Sequence, residues 1–331
     1  MASPNHRLSE STQATLLLCA PLVAAKVKDV SPLSLGEFND LVAALASRQR
    51  NLAELLDSTA ANDLLQELHP QFDTDQLRAL LNRGFALSLS VEKWTAGGIW
   101  VISRDDSVYP PRLSERLKKL APALLYGCGD IDVLNTSGLA IVGSRDIDET
   151  GIEFTNSLGE ACAREQLTVI SGGARGVDQF AMLSAVQAGG KVVGVMADSL
   201  ARSTTSANAR DAIREGRLTL VSPFDPEAGF NVGNAMSRNK AIYALADYGV
   251  VVSSGFNEGG TWSGAIEQLE KFKFVPLFVR TTGNVPEGNS RLLKRGGLPF
   301  PPSPWSGLAQ QLSASAMRSS PREQMVQPPL F

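Results

Sequence analysis

The sequence predicts an α/β protein: an extended Rossmann-like sheet, doubly wound and mostly parallel, preceded by a small helical N-terminal domain. Two observations predict it. Between residues 138 and 279, short apolar runs without polar alternation are separated by amphipathic stretches. That pattern is typical of parallel strands covered by helices on both faces, joined by right-handed crossovers. Residues 8–94 instead show apolar side chains at helical spacing.

The N-terminal part reads as short helices. Ser34 and Asp73 stand at expected N-caps, and prolines separate the segments. We predict a small helical domain over residues 1–94, of the SAM-like or helix-hairpin-helix-like kind, with structural or surface roles for His6 and His69. The helical spacing is carried by leucines, namely Leu41, Leu45, Leu52, Leu55, Leu56, Leu64, Leu65 and Leu68.

The α/β part is predicted over residues 95–298. Its strands are expected at 98–103, 139–142, 167–170, 191–196, 218–221, 249–252 and 274–279, with a further apolar stretch at 124–126. Its helices are expected at 151–165, 177–188, 206–215, 237–246 and 262–272. The remaining residues, 299–331, are rich in Pro, Ser and Gln, which predicts a flexible tail.

Composition excludes several classes of protein. The chain has 331 residues, 31 Lys and Arg against 34 Asp and Glu, and a formal charge of −3. This balance argues against a protein that coats DNA through bulk positive charge. No apolar run reaches the roughly 18 residues of a membrane span, and the N-terminus lacks a signal-peptide profile, so a cytoplasmic, membrane-free protein is expected. Cys19, Cys128 and Cys162 are too scattered for a disulfide framework or a thiolate metal site.

Four predicted loops at the carboxyl edge of the sheet share Gly, Ser or Thr, and Arg or Lys. In an open α/β sheet ligands bind at this edge. Glycine lets backbone N–H groups approach an anion, helix N-termini add positive potential, and arginine binds phosphate. We therefore predict a phosphate site built from Gly143, Ser144, Arg145, Ser171, Gly172, Gly173, Ala174, Arg175, Gly176, Arg238, Asn239, Lys240, Gly259, Gly260 and Thr261.

Common nucleotide-enzyme signatures are missing from these loops. The G-x-G-x-x-G fingerprint does not follow the first strand, residues 138–144 lack the P-loop lysine, and no histidine lies near to activate a nucleophile. Asp178 is expected to cap a helix or to orient Arg175. We expect no catalytic residue, no cofactor and no metal.

Five segments together resemble the DNA-processing protein A (DprA/Smf) family over roughly residues 95–280. They read GIWVISRDDSVYPPRL at 98–113, APALLYG at 121–127, AIVGSR at 140–145, SGGARGVD at 171–178 and SRNK at 237–240. The resemblance implies a homodimer that binds single-stranded DNA, protects it during natural transformation and loads the RecA recombinase, without known catalysis. It assigns the family's phosphate-gripping loop to residues 143–145, its second Gly-rich loop to 171–176, and its Arg-Asn-Arg helix start to Arg238 and Asn239, with Lys240 in place of the last arginine.

The sequence departs from the family pattern in several places. Ala181-Met182 replaces the usual Ala-His, residues 197–208 lack a Tyr-Pro turn, and Ser253-Ser254 stands where an acidic residue is common. The last Gly-rich loop, 259–265, is altered, and no winged-helix sequence follows residue 300. These differences indicate a divergent member, for which a mobile-element or defence context is an alternative to transformation.

Three functions remain open from the sequence. The first is a non-catalytic single-stranded DNA binder in which Trp262 or Phe256 stacks on bases, and in which Arg145→Ala and Lys240→Ala weaken binding. The second is a hydrolase of nucleoside monophosphates, because residues 258–267 distantly resemble the Gly-Gly-x-Gly-Thr-x-x-Glu loop of such enzymes, with Glu267 as the carboxylate. The third is a nucleotide sensor that uses the same pocket without turnover.

Overall fold

A computed structural model describes residues 8–22 and 30–319. Within these residues a single sheet of nine strands has the order β1-β2-β6-β5-β4-β3-β7-β8-β9. The first two strands pair antiparallel, as do β2 and β6, and the remaining neighbours are parallel. The strands are β1 (Trp100–Ser103), β2 (Leu124–Cys128), β3 (Gly138–Val142), β4 (Thr168–Ser171), β5 (Val192–Val195), β6 (Leu218–Ser222), β7 (Tyr248–Val251), β8 (Leu277–Val279) and β9 (Leu298–Pro299).

Helices connect and flank the strands. They are α1 (Glu10–Cys19), α2 (Leu35–Ser47), α3 (Ser58–Leu68), α4 (Thr74–Leu81), α5 (Gly84–Ala96), α6 (Pro111–Leu117), α7 (Glu149–Arg164), α8 (Val177–Gln187), α9 (Leu200–Thr204), α10 (Ala207–Arg214), α11 (Val232–Leu245), α12 (Gly259–Ile266), α13 (Glu287–Lys294) and α14 (Leu308–Ser319). Helix α12 continues as a π-helical segment over Glu267–Phe272. None of the helices in the described ranges is long and apolar enough to cross a bilayer.

The chain changes direction across the sheet between β3 and β7. From β3 it winds outward through β4, β5 and β6, then returns through α11 to the other side of β3 and continues through β7 and β8. Helices α7 and α8 pack on one face, and α11 and α12 on the other. The predicted doubly wound, mostly parallel Rossmann-like sheet is therefore confirmed, and its switch point lies where β3 and β7 end.

Each face of the sheet packs into its own hydrophobic core, and successive strand residues point alternately into the two cores. Leu139 and Ile141 of β3 belong to one cluster, and Ala140, between them, belongs to the other. The N-terminal helices enclose a third cluster, which contains most of the predicted leucines. The N-caps at Ser34 and Asp73 are confirmed, because their side chains accept hydrogen bonds from the N–H groups of Glu37 and Gln76. The division of domains at residue 94 stays a prediction, and His6 lies outside the described residues.

The structure differs from the sequence predictions at the C-terminus. Residues 299–319 were expected to be a flexible tail, but α14 forms there, with Leu308 and Leu312 fully buried and Trp305 only 8% exposed. These three side chains recur at helical spacing and pack on the α7 side of the sheet. The Pro, Ser and Gln content obscured this pattern. Residues 320–331 of the predicted tail lie outside the described residues.

Asp106 ties α1 to β1. Its Oδ1 accepts from Ser9 Oγ at 2.7 Å, and its Oδ2 accepts from Thr12 Oγ1 at 2.5 Å and from the Ser103 N–H at 2.8 Å. We expect Asp106→Ala to lower the free energy of unfolding by roughly 1–3 kcal/mol, because buried donors lose their acceptor. Urea unfolding measures the change. Asp105→Ala removes an exposed neighbouring carboxylate, and an equal loss in that control would contradict this role.

Candidate functional site

The loop after β3 is fixed from three sides. The Ser144 N–H donates to Ser253 O at 2.8 Å, and the Val177 N–H donates to Ser144 O at 3.2 Å. Thr261 Oγ1 donates to Gly143 O at 2.9 Å. Glycine is required at 143, because a Cβ there would lie 2.4 Å from Val177 Cγ2. These contacts join the ends of β3 and β7 to the starts of α8 and α12, so the predicted first, second and fourth loops meet at one edge.

A buried carboxylate lies between the first two loops. Asp178 is 6% exposed, and its Oδ2 accepts from the Gly172 N–H at 3.1 Å. Backbone groups of Ala174 and Gly143 also hydrogen-bond to this carboxylate. Burial raises the pKa of Asp178, and Arg238 and the three backbone groups oppose that shift. Three backbone groups that the sequence suggested for phosphate are thus engaged by Asp178, which holds the two loops together.

Arg238 lies directly beneath the second loop. Its Nη1 is 3.8 Å from Asp178 Oδ2, and a Cβ at Gly172 would lie 1.2 Å from the same nitrogen. The side chain is nearly buried, Nε has no hydrogen-bond partner among the described residues, and burial lowers the pKa of Arg238. Asp178 therefore faces Arg238, which corrects the prediction that it orients Arg175.

Two arginines remain exposed at the loop surface. Arg175 Nη2 lies 2.6 Å from Asp146 Oδ1, and both side chains are mostly in solvent, so this pair is weak. The guanidinium carbon of Arg145 lies 5.9 Å from the centroid of the Phe230 ring, which is 62% exposed. An exposed cation thus lies over an exposed aromatic ring at this edge of the sheet.

Phe230 is the aromatic residue that the sequence analysis missed. It lies two residues before α11, after Gly229, and its position next to a helix that carries Arg238 was the available signal. The aromatics that were predicted to stack are less suitable. Trp262 is 6% exposed, and Arg291 covers the ring of Phe256, with its guanidinium carbon 4.8 Å from the centroid.

Of the remaining predicted site residues, some lie at the loop edge and one lies on the far face of α11. Gly259, which has φ +72°, starts α12 with Gly260 and Thr261, and Asn239 Nδ2 donates to Gly260 O at 3.3 Å. Lys240 is two residues after Arg238, which places it on the opposite face of α11. There its Nζ lies 3.8 Å from Glu267 Oε1 and 5.7 Å from the centroid of Phe272. Every predicted site residue except Lys240 therefore lies at the loop edge.

Glu267 is also remote from the loops. It lies about 12 Å along the helix axis from Gly259, and its carboxylate is near Lys240 and Lys271. Within the described residues, no group of three or more His, Cys, Asp or Glu could hold a metal ion. The loop edge therefore presents two exposed arginines, Arg145 and Arg175, and one exposed aromatic ring, Phe230, to solvent.

The model of the DNA recombination-mediator protein A family matches residues 100–298, more than half of the chain. The chain belongs to this family. The predicted family membership is confirmed. Protein Smf of Escherichia coli (strain K12) is 29% identical over 202 residues, which are 60% of this chain and 53% of that protein. DNA processing protein DprA of Streptococcus pneumoniae (strain ATCC BAA-255 / R6) is 32% identical over 158 residues, which are 47% of this chain and 54% of that protein. The chain spans about half the length of these curated relatives.

Solved structures show the same fold. DNA processing protein A from Streptococcus pneumoniae matches with a TM-score of 0.66 and 21% identity, covering 88% of this chain and 94% of that chain. DNA processing protein A from Helicobacter pylori, described for its single-stranded DNA binding mode, matches with a TM-score of 0.53 and 23% identity, covering 66% of this chain and 96% of that chain.

Proposed function

We propose that this protein binds single-stranded DNA at the carboxyl edge of its sheet, without catalysis. The observation that carries the proposal is the contact between the exposed Arg145 guanidinium and the exposed Phe230 ring. Arg145 lies in the loop after β3, which backbone hydrogen bonds hold to the neighbouring segments. A cation next to an aromatic surface suits a phosphate next to an unstacked base. The family match and the single-stranded DNA binding of the Helicobacter pylori relative support the same function.

In the proposed phosphate site, exposed groups contact the phosphate and buried groups hold the loops in place. Arg145 and Arg175 reach solvent and make charge-assisted hydrogen bonds to phosphate oxygens. Ser144 adds a hydroxyl, and the start of α12 at residues 259–261 adds the positive end of a helix dipole. Asp178 and Arg238 stay behind the loops and hold them in shape.

Phe230 stacks on a base in this account. We expect Phe230→Ala to weaken binding of oligo-dT by roughly 1–3 kcal/mol, the usual contribution of one base-aromatic contact. Fluorescence anisotropy with labelled oligo-dT measures it. Phe256→Ala is the matched control, because that ring is 36% exposed, against 62% for Phe230, and Arg291 lies closer over it. Equal losses in the two variants, or none in either, would contradict the role of Phe230.

The family context suggests the wider role. We infer DNA processing in uptake or recombination, with a RecA-type recombinase as partner and a homodimer as the working form, or a mobile-element or defence setting for the same activity. The proposed compartment is the cytoplasm. Light scattering of the purified chain tests the dimer, and a second copy of the loop site would raise affinity through avidity.

Thermal stabilisation separates the proposed function from its rivals. Oligo-dT is expected to raise the melting temperature, because a ligand that binds only the folded state stabilises it. AMP is expected to leave the melting temperature unchanged and to release no free adenine on incubation. Stabilisation by AMP alone would favour a nucleotide sensor, and adenine released with turnover would favour a hydrolase.

A further inference from the structure

Arg280 directly follows β8, and its side chain is almost completely buried. It is 1% exposed, and its Nη2 donates to Asn284 O and lies 4.0 Å from Asp148 Oδ1. Nε and Nη1 are buried without a hydrogen-bond partner among the described residues. A partly paired, buried guanidinium is unfavourable for stability, and an apolar side chain often replaces such a group at no loss. Stability alone therefore does not explain this arginine.

Asp148 connects Arg280 to the phosphate loop. It is the N-cap of α7, and its Oδ1 accepts from the Gly151 N–H at 2.9 Å. Asn284 Nδ2 donates to Asp148 Oδ2 at 3.0 Å. The hydrogen bond from Gly151 is the main cause of a lowered pKa at Asp148, and Arg280 adds to it. Arg280 and Asn284 thus hold the far end of the loop that carries Arg145, three residues before Asp148.

The Phe154 ring lies over Arg280, and the C-terminal segment, residues 300–312, packs on that ring. The guanidinium carbon lies 5.6 Å from the Phe154 ring centroid. That ring packs edge-on against Phe300 at 5.7 Å and Trp305 at 5.2 Å. These rings exclude water from the guanidinium end of the Arg280–Asp148 pair, whereas the Asp148 side chain is 37% exposed.

We propose that Arg280 is a positioning residue for the anion site: it fixes the end of loop 143–148 so that Arg145 faces the bound phosphate. Phe154, with the C-terminal segment packed on it, keeps the Arg280 guanidinium buried. The phosphate part of the inference rests on the proposed function, whereas the fixing of the loop does not.

Hydrogen exchange of the full chain tests the fixing of the loop. Arg280→Met is expected to speed amide exchange over residues 143–151 by about tenfold, because the loop opens locally, with little change in melting temperature. Arg116→Met is the control. Arg116 Nη1 donates to Ala244 O at 2.9 Å at the end of α11, so its loss lowers stability without reaching the loop. Unchanged exchange at 143–151, or the same general increase in both variants, would overturn the inference.

A double-mutant measurement tests the link to Arg145. Arg280→Met is expected to weaken oligo-dT binding about fivefold, and the variant that also carries Arg145→Ala is expected to bind no more weakly than Arg145→Ala alone. Additive losses would mean independent roles and would overturn the inference. If the unaltered chain binds no oligo-dT, the proposed function fails, and the exchange experiment still decides whether Arg280 fixes the loop.

Discussion

Arg145→Ala is expected to weaken binding of single-stranded oligo-dT by roughly 1.5–3 kcal/mol, about ten- to 150-fold, because a charge-assisted contact to phosphate is lost. The slope of log affinity against log salt is expected to become shallower by about 0.7, the value for one phosphate contact to a single strand. Anisotropy titrations of both proteins across a salt series measure the two quantities. Folding should be unaffected, since Arg145 is exposed.

Lys240→Ala is the matched control for Arg145→Ala. It removes the same charge, but from the face of α11 that points away from the loops, where Lys240 lies near Glu267. The sequence led us to expect that both substitutions weaken binding, whereas the structure now leads us to expect a loss only from Arg145→Ala. Equal losses would mean that overall charge, rather than aimed contacts, governs binding.

Gly172→Ala is expected to have the largest effect on the fold. The new Cβ would lie 1.2 Å from Arg238 Nη1 and 2.7 Å from Asp178 Oδ2, so the Arg238 guanidinium must shift, and because both side chains are buried we expect the shift to break the ion pair. Breaking such a pair costs about 3–5 kcal/mol of stability. Urea unfolding is expected to show this loss, and oligo-dT binding is expected to fall with it.

Gly36→Ala provides the control for Gly172→Ala. Gly36 lies in α2, and among the described residues the only atom within 4 Å of its added Cβ is Ser34 Oγ, at 3.9 Å. Since alanine favours helices, this control is expected to be neutral or stabilising by up to about 1 kcal/mol. A Gly172→Ala variant as stable as the unaltered chain would show that Arg238 moves aside freely, and the account of a fixed loop pair would be wrong.

The sequence was sufficient to predict the sheet and the loop edge, because buried parallel strands and their Gly-rich turns are local patterns. Two site predictions near α11 were wrong for one reason: Lys240 was placed at the loop edge, and Phe230 was missed. We predicted this helix from residue 237, but it begins at Val232, capped by Asn231. Packing of α11 against β4 decides which face of the helix meets Gly172. The local sequence therefore could not predict that Arg238 and Lys240 point in opposite directions or that Phe230 is exposed.

The pairing of Asp178 shows the same limit. Local spacing made Arg175, three residues earlier, its apparent partner, whereas the fold brings Arg238 to it from a different connection across the sheet. Arg280 gave no sequence signal at all, because its burial depends on Phe154 of α7 and on the C-terminal segment that packs on that ring.

In the proposed binding mode, a few groups at the loop edge, rather than the net charge of the protein, bind single-stranded DNA. The chain carries a formal charge of −3, so broad binding to duplex DNA is not expected. The most direct test is an anisotropy titration with oligo-dT and with a duplex of equal length, each at low and moderate salt. We expect a clear preference for the single strand with a shallow salt dependence. Equal affinity for the duplex, or a steep salt dependence for both, would contradict it.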